Sequence, residues 1–251
     1  MKVKTILVSQ PEPAPDVKSP YLDLVEKQKL KIDFRPFIHV EGVDVTEFRK
    51  EKINIADYSA IIFTSRNAID HFFRICEESR YEVPIELKYF CVSEAIAFYL
   101  QKYVVYRKRK IYYGKLTFKD LVPILKKHKK ETFLLPTSDI LKPDVPKLLE
   151  SINLKYKRAV LYRTVCSDLS DLEDVKYDIL VFFSPFGIKS LFENFPDFKQ
   201  GDTRIAGFGS TTQKAIKDAG LRLDIATPTP EAPSMTMALE AYVKEANKRQ
   251  Y

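Results

Sequence analysis

Glycine is scarce in this chain, with seven residues in 251. None falls in a GxGxxG or GxxxxGK[ST] pattern, so the usual backbone cradles for dinucleotides and nucleotide phosphates are missing. A GxSxG nucleophile elbow is missing too. Cysteine and histidine number three each. Cys76, Cys91 and Cys166 lie far apart with no CxxC pair, and His39, His71 and His128 are as scattered. Neither set spells a zinc site or a disulfide framework. No run of about 20 apolar residues occurs, which excludes a transmembrane helix. The opening Met1 to Val8 lacks the apolar stretch and cleavage site of a signal peptide, so a cytoplasmic location is expected. Hydride transfer, phosphoryl transfer and metal hydrolysis all lose ground.

What is present is enough to fold. Hydrophobic residues make up 45% and charged residues 30%, a balance that buries a core and is not that of a disordered chain. The length allows one large domain or two small ones. Lysine and arginine (41) outnumber aspartate and glutamate (34), for a net charge of +7. A basic surface favours anionic partners such as nucleic acid, acidic lipid or a polycarboxylate. Much of the excess sits in Arg107-Lys108-Arg109-Lys110 and Lys126-Lys127-His128-Lys129-Lys130, which read as solvated loop and helix-end charges.

Short apolar runs recur, each followed by a stretch with helical spacing. Thr5 to Val8 precedes Tyr21 to Leu30, Ala60 to Phe63 precedes Ala68 to Cys76, and Tyr89 to Val92 leads into Glu94 to Lys102. Thr132 to Leu135 leads into Val145 to Ile152, Ile179 to Phe183 into Gly187 to Phe195, and Ile205 to Phe208 into Thr211 to Ala219. Strands apolar on both faces and alternating with helices indicate parallel sheets covered by helices, an α/β fold.

The chain also repeats itself. Asp57 to Ile69 matches Lys176 to Ile188, with Tyr58 on Tyr177, Phe63 on Phe182, Ser65 on Ser184 and Ile69 on Ile188. Cys91-Val92-Ser93-Glu94-Ala95 matches Gly207-Phe208-Gly209-Ser210-Thr211, and Leu24-Val25-Glu26 matches Leu148-Leu149-Glu150. Two similar α/β domains follow from this long period. Arg35 to Val40 and Arg158 to Val165 are extended stretches at equivalent places, each followed by a polar segment, Glu41 to Glu47 and Ser167 to Asp174. Tandem domains and a discontinuous arrangement both fit that spacing.

The turns after the repeated strands are rich in hydroxyls: Thr64-Ser65-Arg66-Asn67, Ser184-Pro185-Phe186-Gly187 and Gly209-Ser210-Thr211-Thr212. Ligands of open α/β sheets bind at the carboxyl ends of strands, where helix N-termini favour anions. Each turn alone is also an ordinary N-cap. Tyr162 is the one phenol of the second extended stretch. It reads either as packing or as a positioned acid.

In order, spacing and twofold repetition, several segments resemble the uroporphyrinogen-III synthase family over essentially the whole chain. They are Ile6 to Pro11, Ile62 to Ala68, Leu161-Tyr162-Arg163-Thr164, Phe182 to Gly187 and Ile205 to Thr212. The resemblance implies two flavodoxin-like parallel-sheet domains joined by a two-stranded β linker. The first would combine 1–35 with 170–251 and the second would span 45–157, with 36–44 and 158–169 as linkers and the site in a cleft between the domains. It implies an enzyme without cofactor or metal, a cyclising hydro-lyase of tetrapyrrole and heme biosynthesis. Hydroxymethylbilane, a polycarboxylate, would lose water, invert its last pyrrole ring and close to uroporphyrinogen III. Tyr162 carries over as the general acid. Ser65, Arg66, Asn67, Ser93, Ser184, Pro185, Gly187, Arg204, Gly209, Ser210, Thr211 and Thr212 carry over as substrate contacts. Two departures stand out: Ile96 replaces an expected threonine, and Arg66 replaces a proline or small residue and adds a cation. A monomer that binds neither nucleic acid nor membrane is expected. A non-catalytic tetrapyrrole- or anion-binding regulator is the alternative, with a nucleic-acid binder using the basic runs behind it.

Overall fold

The computed structural model describes residues 2–14, 19–172 and 176–248. The end of the second polar segment, Glu173 and Asp174, therefore lies outside the described residues. In chain order the elements are β1 (Thr5–Val8), α1 (Pro20–Gln28), β2 (Lys31–Phe34), β3 (Ile38–Gly42), α2 (Val45–Lys50), β4 (Ala60–Phe63), α3 (Arg66–Glu78), β5 (Lys88–Cys91), α4 (Glu94–Leu100), β6 (Ile111–Tyr113) and α5 (Phe118–Lys127). They continue with β7 (Phe133–Ser138), α6 (Asp144–Ser151), β8 (Tyr156–Cys166), β9 (Ile179–Phe182), α7 (Pro185–Asn194), β10 (Arg204–Phe208), α8 (Ser210–Asp218), β11 (Ile225–Thr227) and α9 (Met235–Lys248). The chain divides into two units, 1–39 with 165–251 and 40–164.

The first unit holds a sheet of order β11-β10-β9-β1-β2, with every pair parallel. Its strands are apolar at consecutive positions because both faces are covered. In β9, Ile179 and Val181 pack with Leu24, Leu239 and Val243 of α1 and α9. The alternate residues, Leu180 and Phe182, pack with Ile188, Leu191 and Ile216 of α7 and α8. Side chains that alternate across a strand split one apolar run between two cores.

The second unit holds the order β3-β8-β7-β4-β5-β6, parallel from β8 to β6. Ile61 and Phe63 of β4 face α3, meeting Ile69, Phe72 and Ile75. Ala60 and Ile62 face α5 and α6, meeting Leu121, Leu125 and Leu149. The two sheets share one spatial order but not one chain order. Numbered by their own strands, the first reads 2-1-3-4-5, whereas the parallel part of the second reads 3-2-1-4-5. The first unit starts at β1 and β2, leaves, and resumes at its central strand β9. The second starts at its central strand β4.

This winding places the points where strand order reverses. The first unit reverses between β1 and β9, the second between β4 and β7. In doubly wound sheets ligands bind at the carboxyl ends of strands beside such a point. Both basic runs are largely exposed, with Lys126 and Lys127 in the last turn of α5. Truncating a ring of the second core checks how far the fold rests on burial. Phe72 is fully buried with its centroid 5.6 Å from that of Phe63. Phe72→Ala is expected to destabilise this unit by about 3–5 kcal/mol in urea unfolding.

Candidate functional site

At the reversal point of the second unit, β4 ends at Phe63 and the chain turns through Thr64 and Ser65 into α3. Ser65 caps that helix, its Oγ accepting from the Ala68 N–H at 3.0 Å. The same Oγ lies 2.9 Å from the Tyr162 hydroxyl. Tyr162 arrives from β8 by an irregularity of the ladder. Thr137 of β7 pairs with Val160, but the next residue, Ser138, pairs with Tyr162. Leu161 is the extra residue of a β-bulge, a device that re-aims a side chain. Burial records the change of phase: Ala159, Leu161 and then Tyr162 are buried.

The Tyr162 ring is 7% exposed and stacks on His71 of α3, with centroids 5.0 Å apart and planes at 16°. Burial pushes the phenol pKa up, and the nearby Asp139 adds to this, while hydrogen bonds from Ser65 and the Ser138 backbone oppose it. The group is therefore a neutral O–H donor across the neutral range. Arg158 fixes the turn beside it, with Nε donating to Thr137 Oγ1 at 2.9 Å and a terminal nitrogen to the Ser138 and Asp139 carbonyls at 2.8 and 2.7 Å. The Asp139 N–H in turn donates to the Tyr162 carbonyl.

Arg66 and Asn67 occupy the exposed first turn of α3, and the Arg66 guanidinium lies 5.3 Å over the Tyr99 ring. Ser93 opens α4 half-buried, with no hydrogen bond from its side chain to the helix start. Ile96 packs against the core, so that turn offers no hydroxyl there. A groove of about 660 Å³ opens at the carboxyl ends of β5 and β6, lined by Glu94, Tyr113, Lys115 and Lys119 among others.

In the first unit Ser184 repeats the Ser65 turn, its Oγ accepting from the Gly187 N–H at 3.2 Å behind the exposed Pro185. The neighbouring β10 ends at Phe208, Gly209 follows with a φ of 83° that suits glycine, and Ser210 and Thr211 stand exposed at the start of α8.

Three carried-over contacts need correction. Thr212 is 1% exposed and shares the inward face of α8 with Ile216, one helical turn on, so it packs instead of meeting a ligand. Gly187 is buried, and a Cβ there would stand 3.1 Å from the Phe182 ring. Its smallness serves helix-to-strand packing. Arg204 begins β10, with its N–H on the Asp178 carbonyl, so it lies at the amino end of the sheet, away from Ser184 and Gly209. His71, Arg74 and Arg158 border the phenol yet carry no motif. The i,i+3 spacing of His71 and Arg74 on α3 was the one available signal.

A buried phenol and a half-buried serine at the reversal point of a doubly wound sheet define a candidate site in an α/β protein, and each unit has a hydroxyl-led helix start of its own. Among the described residues no group of His, Cys, Asp and Glu is placed to hold a metal ion. The chain belongs to the uroporphyrinogen-III synthase HemD family, whose profile matches residues 19–237. It is 24% identical to uroporphyrinogen-III synthase of Chlorobaculum parvum over 96% of this chain and all of that protein. With the Saccharomyces cerevisiae uroporphyrinogen-III synthase it shares 28% identity over 49% of this chain and 50% of that protein. Its fold is that of the crystal structure of uroporphyrinogen-III synthetase from Helicobacter pylori, with a TM-score of 0.60 at 17% identity, covering 97% of this chain and 100% of that one. A Thermus thermophilus uroporphyrinogen III synthase structure gives 0.53 at 15% identity, covering 99% and 100%.

Ser65→Ala removes both the cap and the phenol's partner, and is expected to cost about 1–2 kcal/mol. It should also move the Tyr162 pKa further up, because the lost hydrogen bond favours the phenolate. Carbon-13 tyrosine NMR across a pH series, assigned with Tyr162→Phe, reads that shift. An unchanged titration would show that Ser65 does not tune the phenol.

Proposed function

We propose that this chain closes hydroxymethylbilane to uroporphyrinogen III, with Tyr162 as the general acid. The family match over 19–237 supports the reaction, and the Tyr162–Ser65 hydrogen bond at the reversal point supports the acid. The bilane is an octacarboxylate, which suits a net charge of +7 and the free N–H groups at the starts of α3, α7 and α8. Arg66, Asn67, Ser184, Pro185, Gly209, Ser210 and Thr211 are the proposed substrate contacts. Ser93 joins them from the second unit. A cytoplasmic monomer belongs to the same reading. Among the described residues no helix is long and apolar enough to cross a membrane.

The chemistry starts with the phenol proton moving to the hydroxyl of the bilane's hydroxymethyl group. The C–O bond breaks and its electron pair leaves on water, giving an azafulvenium cation. The substituted carbon of the last pyrrole then attacks to form a spiro intermediate, which opens and recloses with that ring inverted. Loss of a ring-carbon proton restores the aromatic pyrrole, and that proton returns to the phenolate. One water is lost in all. The phenolate is held meanwhile by Ser65 and the Ser138 backbone. A positioned acid contributes about 10²–10⁴-fold. Folding the bilane so that spiro attack beats simple closure draws on the ~7–11 kcal/mol available from near-attack geometry.

Fresh hydroxymethylbilane given to the purified protein is expected to yield mainly the type III isomer, where buffer alone yields type I. An isomer ratio equal to the buffer control would sink the reading. Tyr162→Phe should lower kcat about 10–100-fold with KM little changed, since water replaces the acid only in part. Thr211→Ala should raise KM, whereas Thr212→Ala should lower the melting temperature and spare turnover per folded molecule. Equal effects of the two threonine changes would contradict their opposite exposures.

A further inference from the structure

Arg74 touches two of the groups that orient Tyr162, the stacked His71 ring and the Leu161 carbonyl. It lies on α3, and its Nε donates to His71 Nδ1 at 3.2 Å. One terminal nitrogen donates to the Val43 carbonyl at 2.7 Å and to the Leu161 carbonyl, that of the bulged residue, at 3.3 Å. The other donates to both oxygens of Glu78 at 2.8 and 2.9 Å. The Val43 N–H also donates to the Leu161 carbonyl, so the bulge is held from two sides. Arginine has no acceptor, so the His71 Nδ1 facing it carries no proton and the tautomer is Nε2–H. Burial and the Arg74 charge push the His71 pKa down, against Asp70 and Glu78, which keeps the ring uncharged where it stacks on the phenol.

Space for this arrangement is made in the sequence. The guanidinium rests on Gly42, where a Cβ would stand 2.8 Å from Arg74 Cζ. We propose that Arg74, through the His71 ring and the Leu161 carbonyl, is a positioning residue that aims the Tyr162 hydroxyl. The inference rests on Tyr162 being the proton donor. Without the clamp, the bulge and the stacked ring both lose a fixed partner, and the hydroxyl leaves its place on Ser65. A misplacement of about 1 Å from a change remote from the chemistry costs on the order of 10²-fold in rate.

The test uses the full chain with Arg74→Met, Gly42→Ala, His71→Ala and His71→Phe, each checked for folding by circular dichroism. Arg74→Met is expected to lower kcat about 10–100-fold with KM within about twofold, and to raise the share of type I isomer. Gly42→Ala keeps the arginine but displaces its guanidinium, and should move the same quantities in the same direction. His71→Phe keeps a flat ring under the phenol and should recover most of the kcat that His71→Ala loses. Carbon-13 tyrosine NMR reads the Tyr162 resonance in every variant without reference to turnover. A folded Arg74→Met protein with wild-type kcat and an unmoved Tyr162 resonance would overturn the inference. A shifted resonance together with wild-type kcat in Tyr162→Phe would instead leave the positioning intact and remove the acid reading on which its purpose rests.

Discussion

One residue more on β8 than on β7 decides the character of the second unit's reversal point. With strict pairing, Leu161 would take the place opposite Ser138 that Tyr162 holds. Side chains alternate along a strand, so a one-residue offset exchanges the two faces. The inserted residue turns the phenol toward Ser65 and sends the Leu161 carbonyl to Val43 and Arg74. A bulge gives up regular ladder bonds, and here those bonds are replaced by a guanidinium and one backbone N–H. The cost is small beside the burial of the Tyr162 ring, which contributes on the order of 1.5–3 kcal/mol as large side chains do.

Electrostatics around the phenol follow from where the charges are kept. The cations next to it are arginines whose hydrogen bonds go to carbonyls, a carboxylate, the Thr137 hydroxyl and a neutral histidine, so they are engaged by partners other than the phenol. The more exposed ion pairs, Arg163–Glu47 and Lys214–Asp218 among them, lie in solvent, where water and salt screen them and they add little to stability. The fold rests on the paired apolar cores and little on the surface charge.

The α/β class was legible because each central strand is apolar at consecutive positions and each helix repeats at its own period. The runs at 60–63 and 179–182 needed no more than that. The strands β2 and β6 were not legible, since Lys31 and Asp33 interrupt the apolar run of the first and Ile111-Tyr112-Tyr113 is only three residues long. The hydroxyl-led turns were found as motifs, but a motif does not say which of its residues turn inward. Thr211 and Thr212 are chemically alike and differ by 100° on the helix, and the buried partner Ile216 settles which is inside. Arg204 failed for a related reason: nearness in sequence to Gly209 hides a whole strand between them. No pattern announces the bulge, because it is a relation between two strands, Thr137 pairing with Val160 and Ser138 with Tyr162.

The repeat supplies its own comparison for the phenol. Ala60 and Ile179 are equivalent, and they pair with Phe133 and Ile6, whose outer partners are Tyr156 and Ile32. Counting equally onward from those outer partners brings Phe37 to the place of Leu161 and Ile38 to the place of Tyr162, and Ser184 stands in the place of Ser65. The backbone repeats the match, since the Ser167 N–H donates to the Phe37 carbonyl as the Val43 N–H does to that of Leu161. A hydrocarbon side chain therefore fills the place of Tyr162 in the first unit, and the serine beside the strand end still caps its helix through its own Oγ. Capping alone accounts for a serine in both units. It does not call for the oxygen on Tyr162, which adds a desolvated polar group where the first unit has an isoleucine.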